Sequence, residues 1–128
     1  MVWTLAVMIS AWNIRGLNKT SKHKEVRRFC ARHKVDLYGL LGTRVKESNL
    51  VNIFNKIQNG WKTINNYSHH LNGRIWVLWN PTIWMIGSYS VHNQAILCHV
   101  THLHSNVIFW ILCLLLIMVL HEKPYGIG

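Results

Sequence analysis

Acidic side chains are scarce in this sequence. Its 128 residues contain four Asp and Glu against fourteen Lys and Arg, which gives a formal net charge of +10 at pH 7. Such an excess of positive charge favours partners that carry phosphate groups, or anionic membrane surfaces, through steering and counterion release. An equal alternative is that a truncated or weakly selected sequence has lost its acids.

Paired cysteines and secretion signals are also missing. Cys30, Cys98 and Cys113 are odd in number and widely spaced, and no C-x-x-C pair occurs. This pattern indicates neither a disulfide framework nor a zinc site, and a reducing compartment is the default expectation. The apolar N-terminal run is neither preceded by Lys or Arg nor followed by a small-residue cleavage site. We therefore predict that the chain is not secreted.

Apolar residues are abundant and make up 50% of the chain, which predicts one folded domain. The longest apolar run is residues 107–120. As a helix it would reach about 21 Å, less than a bilayer core of about 30 Å. Membrane association is therefore not expected, and a small membrane-associated protein anchored by residues 107–120 remains an alternative.

The pattern of apolar and polar residues predicts an α/β fold. A buried strand ends near Asn13, a helix spans residues 21–34 with Ser21 as its N-cap, and a second buried strand spans residues 35–41. This order implies two parallel strands joined by a right-handed crossover. The ends of both strands should then lie side by side, with Asn13 and position 42 at one edge of a sheet.

The rest of the chain is predicted to contain one more helix and several strands. The helix covers residues 50–57 and a strand at 61–67 follows it. The period of apolar residues then becomes two, which indicates hairpin-connected strands of a single sheet at residues 74–79, 83–90 and 94–104. The seven tryptophans are expected to lie mainly in the core.

Three sequence blocks share their order and spacing with a known family. They read SAWNIRGLN at 10–18, DLYGLLGTRVKE at 36–47 and GRIWVLWNP at 73–81. They resemble the endonuclease domain of plant LINE-type (non-LTR) retrotransposons, which belongs to the endonuclease/exonuclease/phosphatase superfamily. The resemblance implies a truncated, partial two-sheet α/β sandwich over residues 8–111. Residues 1–7 would be an extension or the start of the first strand, and residues 112–128 an apolar tail.

The resemblance also implies a site that has lost a ligand. Asn13 matches the family Asn that helps to hold the phosphate and metal. The second block ordinarily reads L-x-E-T, where Glu binds Mg²⁺ or Mn²⁺, but this chain has Gly42. Glycine supplies no oxygen ligand, and Glu25, Asp36 and Glu47 are poor replacements by position. We therefore expect no metal or other cofactor in this chain, and a vestigial role for Asn13.

The functional expectation is a truncated remnant of a metal-dependent DNA endonuclease domain without activity. The later catalytic residues of the family would lie beyond residue 111. The alternative is a basic, non-catalytic nucleic-acid-binding module that binds DNA weakly and without sequence preference. By family resemblance the location would be nuclear or cytoplasmic. The candidate nucleic-acid-binding residues are Arg15, Lys24, Arg27, Arg28, Arg44 and Arg74, although a basic helix face is often only solvated.

The tail differs in character from the rest of the chain. When residues 117–128 are back-translated and the codons are read in a shifted frame, they permit an amino-acid sequence that is typical of the family. We therefore predict that the tail from Leu112 is an out-of-frame translation, which the coding DNA can test. The alternative is a genuine apolar strand or helix.

Overall fold

Two four-stranded sheets and two α-helices form the computed structural model. It describes residues 9–68, 74–114 and 118–123. The first sheet has the order β1-β2-β4-β3, and the second has the order β5-β6-β7-β8. The elements are β1 Ile9–Asn13, α1 Thr20–His33, β2 Leu37–Leu41, α2 Leu50–Ile57, β3 Lys62–Asn65, β4 Ile75–Trp79, β5 Trp84–Val91, β6 Ala95–His102, β7 Ile108–Leu114 and β8 Met118–Lys123.

Some sequence predictions fall outside the described residues. These are the extension at 1–7, Met8, Gly73 of the third block, and the parts of the tail at 115–117 and 124–128.

The predicted strand-helix-strand unit is present. β1 and β2 are parallel neighbours, and Asn13 lies opposite Leu41. The helix between them begins at Thr20 after the N-cap residue Lys19, so the prediction of Ser21 as N-cap is wrong. The backbone N–H groups of Lys22 and His23 both donate to the Lys19 carbonyl. This places Ser21 within the first turn of α1.

The prediction of a single sheet for the later strands is also wrong. β4 lies in the first sheet, antiparallel to both β2 and β3, whereas β5 begins the second sheet. All five residues of β4 are buried, as expected for a central strand with both faces covered. The turn after β4 is fixed by Asn80, whose Oδ1 accepts hydrogen bonds from the backbone N–H and the hydroxyl of Thr82.

The apolar run near the C-terminus forms strands where it is described. In β7, the buried Phe109, Ile111 and Cys113 alternate with partly exposed residues. β8 pairs antiparallel with β7. No helix among the described residues has the length and apolar character to cross a bilayer. The predicted boundary at 111/112 falls inside β7, and the origin of the tail stays a prediction.

Two apolar cores share the first sheet. One face of β4 contributes Trp76 and Leu78 to a core with α1 and α2. The other face contributes Ile75, Val77 and Trp79 to a core with the second sheet. The first sheet is therefore the middle layer of the molecule. Its parallel strands β1 and β2 end at the same edge.

Candidate functional site

Asn13 and Gly42 meet where β1 and β2 end. Beyond the strands, the pairing continues through hydrogen bonds from Ile14 N to Leu41 O (2.9 Å) and from Gly16 N to Gly42 O (2.8 Å). A Cβ built on Gly42 would lie 3.1 Å from Asn13 Oδ1. The structure therefore brings together the two positions that the sequence placed at one edge.

The donor set at this edge does not fit a hard divalent cation. Mg²⁺ prefers carboxylate oxygens, and the side chain of Asn13 offers an amide oxygen while Gly42 offers none. Among the described residues, no group of three or more His, Cys, Asp or Glu could hold a metal ion. The positions of the four carboxylates of the chain explain this result.

Each carboxylate belongs to another part of the fold. Glu25 is on α1, 3.5 Å from Lys22 Nζ. Glu47 begins an exposed 3₁₀ turn, Glu47–Asn49. Glu122 is on β8, where its backbone pairs with Phe109. Asp36 precedes β2, at the end of the strand away from Leu41, and five residues of strand span about 16 Å.

Asp36 instead lies in a polar cluster between the two sheets. Its Oδ1 accepts a hydrogen bond from Trp84 Nε1 at 2.8 Å. Burial raises the pKa of the Asp36 carboxyl, and the hydrogen bond from Trp84 and the nearby His102 lower it in part. The His102 ring packs edge-on against Trp84, with ring centroids 5.0 Å apart. The sequence alone did not predict that His102 would lie near Asp36.

His102 is 4% exposed, and its Nδ1 lies 2.9 Å from Ser105 Oγ. Burial lowers the pKa of His102, and His104 lowers it further, whereas Asp36 raises it. The hydroxyl of Ser105 also accepts a hydrogen bond from the backbone of Val107. These contacts close the turn between β6 and β7, so the cluster has a structural explanation.

The six candidate nucleic-acid-binding residues lie in different settings. Arg15 and Arg44 line a common cavity. Lys24 and Arg28 are exposed on α1. Arg27 is also on α1, but its Nη1 donates a hydrogen bond of 2.6 Å to Lys56 O, so it joins the two helices. Arg74 is half-buried, and its Nε is buried without a hydrogen-bond partner.

Three further polar or charged residues of the cavity were not among the candidates. Asn18, Lys19 and Lys22 line it together with Arg15, Gly16 and Arg44. The available signal was the cluster of polar and basic residues between β1 and the first turn of α1. Sequence reasoning did not combine Lys22 of α1 with Arg44 of another loop.

Comparison with solved structures identifies the fold. The chain is similar to a mannosyl-6-phosphatase of Bacteroides thetaiotaomicron, with a TM-score of 0.62, 10% sequence identity, and coverage of 94% of this chain and 53% of the phosphatase. It is similar to an endonuclease/exonuclease/phosphatase family protein from the same organism, with a TM-score of 0.63, 11% identity, and coverage of 94% and 52%.

No family model matches the chain, and no curated protein matches it either. The chain spans about half the length of the two solved structures. With its two sheets and two helices, it has the α/β fold of an endonuclease/exonuclease/phosphatase family protein.

Proposed function

We propose that this chain is a catalytically inactive form of a metal-dependent DNA endonuclease domain of the type that plant LINE-type retrotransposons encode. Three sequence blocks support this origin, because they resemble that domain in order and spacing. The fold is compatible with it, since both fold neighbours match over nearly the whole of this chain. Nuclear or cytoplasmic location is part of the same proposal.

Inactivity rests on one observation, the presence of a glycine beside Asn13. A dication at a phosphodiester polarises the phosphoryl oxygen and stabilises the leaving oxygen, which is worth several kcal/mol. At this edge the expected carboxylate is replaced by Gly42, and none of the other acids lies on the adjoining strand ends. Without that ligand, Asn13 can at most hold a phosphate oxygen through its amide.

Plasmid nicking tests this proposal. Supercoiled plasmid is incubated with the purified chain in Mg²⁺ or Mn²⁺ and, as a control, in EDTA. An active endonuclease shows that the assay conditions support nicking. We expect no conversion to open circles beyond the EDTA control. Nicking that requires the metal would contradict the proposed inactivity.

A second function, binding of the DNA backbone without chemistry, is favoured by the distribution of charge. Lys24 and Arg28 are exposed on α1, and Arg15 and Arg44 are exposed beside the sheet edge. Such contacts neutralise phosphates and release counterions, so the affinity should fall steeply between about 50 and 200 mM salt. Fluorescence anisotropy with duplexes of unrelated sequence measures this. Affinity that does not respond to salt, or that depends on sequence, would contradict the proposal.

A further inference from the structure

An open cavity of about 260 Å³ lies beside the edge that contains Asn13 and Gly42. It is formed by the loop between β1 and α1, the first turn of α1, and the loop after β2. The lining residues are Arg15, Gly16, Asn18, Lys19, Lys22 and Arg44. We call it the basic cavity.

Four of these six residues are cations. Arg15, Lys19 and Arg44 are exposed, and Lys22 is partly exposed. The only ion pair within the described residues is Lys22 with Glu25, at 3.5 Å. Converging like charges repel one another unless an anion lies between them. The basic cavity therefore has the charge of an anion-binding site, and no acid of the described chain neutralises Arg15, Lys19 or Arg44.

The two loops that provide the arginines are held together. Asn18 Nδ2 donates a hydrogen bond of 3.1 Å to the Arg44 carbonyl. Leu17 N donates one of 2.8 Å to the Thr43 carbonyl. Because the two loops are hydrogen-bonded to each other, the backbone positions of Arg15 and Arg44 are fixed relative to one another. A guanidinium can donate two parallel hydrogen bonds to one phosphate, which makes arginine well suited to bind it.

The basic cavity is next to the sheet edge but separate from it. A Cβ built on Gly42 would lie 3.8 Å from the backbone nitrogen of Arg15. A phosphate in the cavity would therefore lie near the ends of β1 and β2. A nucleic-acid strand could cross the sheet edge while one of its backbone phosphates occupies the cavity.

We propose that the basic cavity binds a phosphate group, supplied by a nucleic-acid backbone or by free phosphate. The nucleic-acid source rests on the DNA-binding function proposed above. Arg15 and Arg44 are the principal ligands, and Lys19 and Lys22 add positive charge. The basic face of α1, represented by Lys24 and Arg28, contributes only general attraction.

Two matched double variants test the site. Arg15→Asn with Arg44→Asn removes two charges from the cavity, and Asn suits both positions because their φ angles of 52° and 55° lie in the left-handed region. Lys24→Gln with Arg28→Gln removes the same charge from the exposed helix face. Arg27 is excluded as a control because it bonds to Lys56.

Binding of a duplex is measured by anisotropy, and binding of inorganic phosphate by amide chemical shifts at constant ionic strength with chloride as reference. For the cavity variant we expect DNA affinity to fall roughly tenfold or more, because charge-assisted hydrogen bonds are lost. For the helix-face variant we expect a loss below about threefold, since exposed charges are screened. Phosphate should shift the wild-type amides of residues 15–22 and 44.

Each outcome decides one proposal. Equal loss of DNA affinity in both variants, with no phosphate shifts at residues 15–22 and 44, overturns the cavity and leaves general DNA binding intact. Phosphate shifts without DNA binding support the cavity with free phosphate as its ligand and overturn the DNA-binding function. If the cavity variant does not fold, the wild-type phosphate shifts decide alone, and their absence overturns the site.

Discussion

Gly42 has a backbone conformation that suits glycine better than the expected glutamate. Its φ of 68° lies in the left-handed region, which is unfavourable for residues with a Cβ. The Cβ position 3.1 Å from Asn13 Oδ1 is also tight. The edge has therefore adopted a local geometry that glycine permits, and a glutamate would have to change that geometry or bear the strain.

Replacing Gly42 by Glu should destabilise the chain and leave it inactive. The left-handed conformation alone costs a residue with a Cβ about 1–2 kcal/mol, and one restored carboxylate does not supply the rest of a metal site. Urea unfolding measures the stability, and plasmid nicking with Mg²⁺ measures the activity. Gly42→Asn is the control and should lose less stability, because Asn tolerates this conformation better. A Gly42→Glu chain as stable as the wild type would show that the edge relaxes freely.

His102 should make stability depend on pH below its ordinary pKa of 6.5. Its pKa is lowered in the fold, chiefly by burial, so the folded state prefers the neutral ring while the unfolded state takes up a proton as the pH falls below 6.5. The stabilisation is complete above that pH and is lost as the pH falls through the lower, folded pKa.

The test uses Asp36→Asn as a common background, because Asp36 raises the pKa of His102 and titrates itself. In this background, the free energy of unfolding should fall from pH 7 to more acidic pH, and His102→Gln should reduce that fall. Denaturant unfolding at several pH values measures both. Identical pH profiles with and without His102 would contradict the prediction.

At the scale of elements, β5 is tied to the start of β2 by the hydrogen bond from Trp84 to Asp36. Trp84→Phe keeps a ring in the core between the sheets but removes the only N–H of the side chain. Leaving the partly buried carboxylate without this donor should cost about 1–3 kcal/mol at pH 7. Guanidinium unfolding of Trp84→Phe, of Asp36→Ala and of the double variant isolates the pair, because Ala removes the acceptor. Additive losses would show that the bond contributes nothing.

The existence of the elements was predictable, but their assignment to sheets was not. Periodicity located α1, α2 and the strands β1 to β6 to within a few residues, because burial imposes periods of 3.6 and 2. It did not predict β7 and β8, which lie in the apolar run near the C-terminus. The error concerned β4. A hairpin interpretation joined it to β5, whereas Ile75 to Trp79 are all buried and require cover on both faces. That requirement was present in the run of apolar residues at 75–79, which does not alternate with polar ones.

The part of the site that lies on strands was predictable from the sequence, and the part that lies on loops was not. Parallel strands end at one edge, so Asn13 and Gly42 could be placed together from their positions in two strands. The basic cavity could not be predicted from the sequence. Arg44 is brought to Arg15 and Lys19 only by hydrogen bonds between two loops. Loop contacts have no periodicity that a sequence displays.

For the whole molecule, the first sheet is the middle layer between helices and second sheet, and stability depends on both cores. Trp76 and Leu78 pack on the helix side, while Val77 and Trp84 pack between the sheets. Among the described residues, none of the buried side chains is Lys, Arg, Asp or Glu. Most of the positive charge is therefore at the surface, where salt screens it.

Salt should consequently stabilise the fold while it weakens DNA binding. Raising the ionic strength from about 0.01 to 0.1 M shortens the Debye length from about 30 to 10 Å, which reduces repulsion among the cations. A gain of about 1 kcal/mol is expected, since like charges a few ångströms apart interact by that much in water. Denaturant unfolding in sodium chloride measures it, and a loss of stability would show that attraction between charges dominates.

The identity of the anion then separates screening from binding at a site. Screening depends on ionic strength alone, whereas a bound anion stabilises the folded state by an amount set by its concentration and its dissociation constant. At equal ionic strength and pH, phosphate should therefore stabilise the wild type more than chloride does. The Lys24→Gln, Arg28→Gln variant should keep this difference, and the Arg15→Asn, Arg44→Asn variant should lose it. If phosphate and chloride have the same effect on the wild type, the surface attracts anions without holding one.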